Sequence, residues 1–250
     1  MPLYLVATPI GNLQDISARA LTTLKQVSLI LCEDTRQTKK LLTHYGITTP
    51  VTAYHAHNEH AKTPQFVSKA KTKDLALVTD SGTPLISDPG YLLVKACRKE
   101  NIPVIPIPGP NAAICALSAS GFSAQQFFFY GFLPKKEQQK KKALEEVLSL
   151  KKTIIFYESP HRIQRTLALL TILAPARELC IARELTKHHE SFAYGTAAEL
   201  YQRAEQGEFK GELVLLCNQE EKHQQREHDL LHKNQTTSSN KQPRAKKDKR

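Results

Sequence analysis

Short apolar runs alternate with helical patterns from residue 3 to residue 120. Residues 3–7 form an apolar strand that stops at the turn cluster Thr8-Pro9-Ile10-Gly11-Asn12. Beyond it Ile16, Ala20, Leu21, Leu24 and Val27 recur at helical spacing, with Asp15 placed to cap the helix. A second strand is predicted over 28–32, and the helix after it carries Leu41 and Leu42 and stops at Gly46. The run 75–79 enters Asp80-Ser81-Gly82-Thr83-Pro84. A helix bearing Leu92, Leu93, Ala96 and Cys97 then starts after Asp88-Pro89-Gly90. Strand 102–107 leads into Pro108-Gly109-Pro110 and a small-residue helix over 111–120. Strand, turn and helix repeating in this order predict an α/β domain with a mainly parallel sheet covered by helices.

The pattern restarts later in the chain. Strands are predicted over 153–157, 178–182, 192–194 and 212–217, with helices over 160–174, where Pro160 sits near the first turn, and 197–204. These shorter strands suggest a mixed sheet and hence a second α/β domain. The expected division is a first domain over 1–131, a basic linker loop over 132–142, a second domain over 143–221 and a tail over 222–250. From 222 onward the only apolar residues are Leu230, Leu231 and Ala245, so the tail is expected to be disordered.

Composition narrows the class. The chain has 250 residues, 40% of them apolar and 24% charged, which is ample for globular cores. No stretch approaches the ~18 uninterrupted apolar residues of a membrane helix. Residues 1–6 have no basic start, so a secretory signal is not read there, and a cytoplasmic location without membrane attachment is expected. The five cysteines stand apart in apolar contexts without zinc or disulfide spacing, which reads as small buried side chains in a reducing compartment. The net charge of +11 is unevenly placed: the tail carries nine lysines and arginines against Glu227, Asp229 and Asp248, and the 135–142 segment five lysines against Glu137. A nearly neutral globule with two basic segments suits a polyanionic partner.

Three turns, at 8–12, 80–84 and 108–111, each follow the C-terminal end of a predicted strand. In open α/β sheets that edge binds ligands, and glycine lets the backbone come close to them. Neither G-x-G-x-x-G nor a Walker A motif is present, so dinucleotide and ATP cradles are not expected.

The turns belong to a longer series: Leu5-Val6-Ala7-Thr8-Pro9-Ile10-Gly11-Asn12-Leu13, Glu33-Asp34-Thr35-Arg36, the run from Asp80 to Gly90, Pro108-Gly109-Pro110, Gly131-Phe132-Leu133-Pro134, Phe156-Tyr157-Glu158-Ser159-Pro160-His161-Arg162 and Ala182-Arg183-Glu184-Leu185-Thr186-Lys187. In order and spacing this series resembles the ribosomal RNA small subunit methyltransferase I family, over residues 3–217. The resemblance implies a two-domain tetrapyrrole-methylase-like fold with S-adenosylmethionine between the domains, usually in a homodimer. The implied activity is methylation of a ribose 2′-oxygen on a decoding-centre cytidine of 16S rRNA, free or in the small ribosomal subunit. Two other readings stand beside it: a tetrapyrrole methylase on the same fold, and a non-catalytic RNA-binding relative.

The resemblance assigns the cofactor to Pro9, Asp80, Gly82, Thr83, Asn111 and Ala112 from the first domain and to Phe132, Tyr157 and Leu185 from the second. Asn111 departs from the Ser or Thr that many relatives carry after Pro-Gly-Pro. Charged residues near strand ends supply candidates for catalysis: Glu158 or Glu33 as base or orienting group, with His161 and Arg162 beside them. Arg36, Lys39, Lys135, Lys136, Lys140, Lys141, Arg183 and Lys187 are expected to meet RNA phosphates, as is Arg162. His55, His57 and His60 are read as an RNA-contacting loop, and no metal is expected.

Overall fold

A computed structural model describes residues 1–219. The first sheet contains β1 (Leu3–Val6), β2 (Leu29–Cys32), β3 (Val51–Ala53), β4 (Leu75–Leu77) and β5 (Val104–Ile107), all parallel in the order β3-β2-β4-β1-β5. Its helices are α1 (Ala18–Gln26), α2 (Thr35–His44), α3 (Glu59–Ala70), α4 (Tyr91–Lys99) and α5 (Ala112–Ala119). Alternate residues along each strand serve opposite faces. Val6, Ile30, Cys32 and Ala76 pack with Ala20, Leu24 and Leu42 of α1 and α2, whereas Leu3, Leu31, Leu75 and Leu77 pack with Phe66, Val67, Leu93 and Cys97 of α3 and α4. Both faces are covered, which is why these strands read as continuous apolar runs.

The second sheet contains β6 (Phe127–Phe132), β7 (Thr153–Glu158), β8 (Glu178–Arg183), β9 (Ser191–Thr196) and β10 (Leu213–Cys217), in the order β6-β7-β10-β8-β9. Only β6 and β7 run parallel; the other pairs are antiparallel, giving the expected mixed sheet. On one face Ile154, Phe156, Leu179, Ile181, Leu213 and Leu215 pack with α6 (Glu137–Leu148), α7 (Ile163–Leu173) and α8 (Ala197–Glu205). On the other, Ile155, Cys180, Ala182, Val214 and Leu216 receive Ala113, Ala116 and Leu117 of α5. A helix of the first unit thus supplies the cover for the second sheet. The two units share an apolar core, and their C-terminal strand edges meet at the N-terminus of α5.

Several expectations are corrected. The segment 132–142 is not a linker loop: β6 already belongs to the second sheet, and α6 begins at Glu137. The buried stripe of α6 is Lys140, Ala143, Leu144, Val147 and Leu148, so one lysine of the basic run occupies a core position at helical spacing. The α1 cap is Ser17, whose hydroxyl accepts from the Ala20 amide, while Asp15 ends a 3-10 turn over Leu13–Asp15. Pro160 precedes α7 rather than opening it. β3 is only three residues long, and α3 carries Pro64 in its interior; both sit where the sequence pattern gives no clear element. Four cysteines are buried, Cys115 is half-buried and all five are free thiols. Among the described residues no helix is long and apolar enough to cross a membrane. The tail, 222–250, lies outside the described residues.

Candidate active site

The three turns at one edge follow β4, β1 and β5, which are neighbours in the sheet. They are also bonded to one another. Thr8 and Gly82 exchange backbone hydrogen bonds of 2.9 and 3.1 Å, and Thr83 Oγ1 donates to the Pro110 carbonyl at 2.9 Å. Gly82 makes this pairing with φ +87°, a conformation that L side chains rarely adopt. Leu85 and Ser87 also have positive φ, 73° and 67°, so the chain after β4 folds back over the sheet edge instead of running directly into α4. Such strained residues persist where surrounding structure holds them, often at ligand sites.

A cavity of about 310 Å³ lies where these turns face the C-terminal ends of β7 and β8 and the start of β10. Of the residues the resemblance assigned to the cofactor, Gly82, Thr83, Asn111, Ala112, Phe132, Tyr157 and Leu185 line it. Pro9 and Asp80 are not part of the lining. Ile10 takes the place next to Pro9, and Asp80 Oδ1 accepts from the Asp34 amide at 3.0 Å, tying the turn after β4 to the one after β2. Asn111 caps α5, its Oδ1 accepting from the Ile114 amide at 3.2 Å.

Asp88, Ser81 and Ser87 complete the polar lining on the first unit, and Ile86 adds an apolar group. Burial pushes the Asp88 carboxyl up to about 6, and the negative charges of Glu33 and Asp80 act in the same direction. Asp88 stands in the quoted Asp80 to Gly90 run, but its distance from the strand end hides it; the positive-φ residues carry it back to the cavity. Gly211, Glu212, Leu213 and Val214 also line the cavity, because β10 runs antiparallel and its first residues lie beside the last of β7 and β8.

Of the expected catalytic residues, Glu158 is part of the cavity lining, whereas Glu33, His161 and Arg162 are not. The Glu158 side chain is 0% exposed. Its Oε1 accepts from the Ser159 amide at 3.0 Å and its Oε2 from Thr166 Oγ1 at 2.7 Å, with Arg162 Nε and Lys140 Nζ at 3.4 and 3.8 Å. Glu158 thus lines the cavity with its carboxylate held by these partners. Arg162 is turned inward as well, its Nη2 donating to the carbonyls of Leu133 at 2.6 Å and Pro134 at 3.1 Å. His161 is exposed in the turn before α7 and outside the cavity lining. Glu33, half-buried at the end of β2, is likewise outside the lining; burial and Asp80 raise its carboxyl above the ordinary range.

The basic residues divide. Lys39, Lys135, Lys136 and Lys141 are exposed, and Arg36 is exposed beside Asp34, whose carboxyl the Arg36 hydrogen bonds hold down to about 2. Lys140 does not face solvent: its Nζ donates to Thr166 Oγ1 at 2.9 Å. Lys187 Nζ is 3.0 Å from Glu184 and 3.0 Å from Glu212, and Arg183 Nε donates to the Lys210 carbonyl at 2.8 Å. Lys140, Arg162, Arg183 and Lys187 are thus committed to internal partners. In the histidine segment, Asn58 Nδ2 lies 2.9 Å from His55 Nε2, while His60 is on α3.

Comparison with known proteins agrees with the geometry. Residues 2–201 match the family described as Tetrapyrrole (Corrin/Porphyrin) Methylases. A protein of Halalkalibacterium halodurans named ribosomal RNA small subunit methyltransferase I is 49% identical over 86% of this chain and 74% of its own length. A protein of Vibrio cholerae serotype O1 with the same name is 50% identical over 86% of this chain and 76% of its own. Among solved structures, a diphthine synthase superposes with a TM-score of 0.68 at 11% identity, covering 87% of this chain and 90% of that one. A uroporphyrin III C-methyl transferase from Thermus thermophilus superposes at 0.60 and 15% identity, covering 86% and 97%. At those identities the structural likeness bears on the fold alone.

Proposed function

The chain belongs to the ribosomal RNA small subunit methyltransferase I family, and from that membership we propose that it methylates the ribose 2′-oxygen of a decoding-centre cytidine in 16S rRNA with S-adenosylmethionine as donor. The observation that carries the donor assignment is the cavity between the units. S-adenosylmethionine combines an adenosyl group, which needs apolar cover with polar groups at its edges, and a charged end bearing sulfonium and ammonium. Ile10, Ile86, Ala112, Leu185 and Val214 supply apolar walls, Ser81, Thr83 and Ser87 supply hydroxyls, and Asp88 supplies a carboxylate. The residues present fit the group.

When bound, the cofactor supplies an electrophilic methyl carbon on a positively charged sulfur. The turns after β4, β1 and β5 and the wall formed by Phe132 and Tyr157 would hold the donor and shield it from water. Above about pH 6 the Asp88 carboxylate is ionised and would complement the donor's positive charge. With Glu158 enclosed, orientation becomes the chain's main contribution, an effect that can reach ~7–11 kcal/mol in favourable cases.

The exposed lysines 135, 136 and 141, following cavity residue Phe132, attract the RNA backbone, and the target ribose has to be splayed out to enter the cleft. The tail, with its net +6, adds to that attraction in this reading. A homodimer and a cytoplasmic location belong to the same reading. Mass spectrometry of 16S rRNA from cells with and without the gene is the test: the ribose methyl disappears with the gene, and an unchanged modification pattern refutes the assignment. Deleting residues 222–250 leaves cofactor affinity intact and weakens RNA binding, while sedimentation as a monomer counts against the dimer.

A further inference from the structure

We propose that Arg162 is a positioning residue for the cofactor wall of the second unit: by gripping the Leu133 and Pro134 carbonyls from the buried Glu158 cluster, it sets Phe132 against Tyr157. The inference rests on the reading of the cavity as an S-adenosylmethionine site.

The end of β6 is where the sheet itself gives least control. The β6–β7 ladder shifts register between Phe129 and Gly131, and beyond the bulge only Gly131 and Phe132 pair, opposite Phe156 and Tyr157. Gly131 has φ +81°, and a Cβ there would lie 2.9 Å from Ser87 Oγ on the other wall. β6 is also an edge strand, so among the described residues no second strand neighbours it. Yet Phe132 must stay in place with its side chain largely open to the cleft: the residue is 55% exposed, and its ring centroid is 5.5 Å from that of Tyr157.

Arg162 provides the missing constraint. Its Nη2 donates to two consecutive carbonyls immediately after Phe132, and its Nε lies 3.4 Å from Glu158 Oε1, one residue after Tyr157. One planar guanidinium therefore joins the ends of β6 and β7 at the level of the cavity. Glu158 is fixed in turn by Thr166, Lys140 and the Ser159 amide, so the anchor does not move with the turn. A lysine at 162 keeps the charge beside Glu158, and keeps any attraction to RNA phosphate, but lacks the fork that spans two carbonyls and the carboxylate together.

The test uses the full-length protein with Arg162→Lys and Arg162→Ala, each checked for native melting. Calorimetry with S-adenosylmethionine and binding of a 16S rRNA fragment over a range of salt concentrations are measured side by side. Both variants are expected to weaken cofactor binding about tenfold and raise its KM while leaving RNA affinity and its salt dependence unchanged. Arg162→Lys tests the grip even if Arg162→Ala does not fold. Cofactor affinity within twofold of wild type in Arg162→Lys overturns the proposal. So does full cofactor affinity with lost RNA binding in Arg162→Ala, which would return the side chain to phosphate contact. Wild-type protein that takes up no S-adenosylmethionine overturns the underlying cofactor reading instead, and is distinguished by its own titration.

Discussion

Replacing Asp88 by Asn separates binding from stability. The carboxyl is raised from 3.8 to about 6, chiefly by burial, so ionising it costs the folded protein free energy that the unfolded chain does not lose. A shift of about two units corresponds to ~3 kcal/mol, and partial solvent contact reduces this to roughly 1–2 kcal/mol. Because the folded-state value lies above the unfolded one, this group lowers stability progressively as pH rises from about 4 through about 6. The cost is fully present at pH 8 and absent below pH 4. Asp88→Asn, which keeps shape and removes charge, is therefore expected to be more stable than wild type at pH 8 by roughly 1–2 kcal/mol, with no advantage at pH 4, in urea unfolding without cofactor. Loss of a charged partner weakens S-adenosylmethionine binding by about 10–100-fold in calorimetry at pH 8. Wild-type cofactor affinity in the variant, or lower stability at pH 8, would refute the reasoning.

Further perturbations probe the remaining parts. Gly82→Val forces a β-branched residue to φ +87° and disturbs the pairing with Thr8, so calorimetry should find cofactor affinity reduced more than about tenfold and melting lowered by roughly 1–3 kcal/mol of stability. Glu33→Gln removes one of the charges that raise Asp88, so the pH midpoint of cofactor binding should move below that of wild type; an upward move contradicts the electrostatic assignment. Lys140→Met leaves the buried Glu158 carboxylate with Arg162 alone, so urea unfolding should show a loss of up to about 3–5 kcal/mol while RNA affinity does not change. The double variant Lys135→Ala, Lys136→Ala should weaken RNA binding and flatten its dependence on salt by roughly 1.5–2 units of log–log slope, measured by filter binding.

Much of the architecture was legible because both sheets are covered on both faces. Their strands had to be apolar runs, and those runs ended in turn residues that marked the ligand-binding edge. The turns at 8–12, 80–84 and 108–111 converge for the reason expected of a parallel sheet. The chemistry of individual charged residues was less legible, because residue type does not reveal direction. Lys140 shares a basic run with exposed lysines but falls on the buried stripe of α6, and Glu158 lines the cavity beside Tyr157 yet has its carboxylate buried in an ion cluster with Lys140 and Arg162.

What the amino-acid order determined alone was therefore the alternation of elements, the ligand-bearing edge and the family to which the motifs belong. Tertiary structure decided the rest. Antiparallel pairing brought the start of β10 to the cavity, α5 crossed to cover the second sheet, and positive-φ residues folded Asp88 back over the edge. Each of these depends on contacts between residues far apart in the chain, where a local hydrophobic period carries no information about partner or direction.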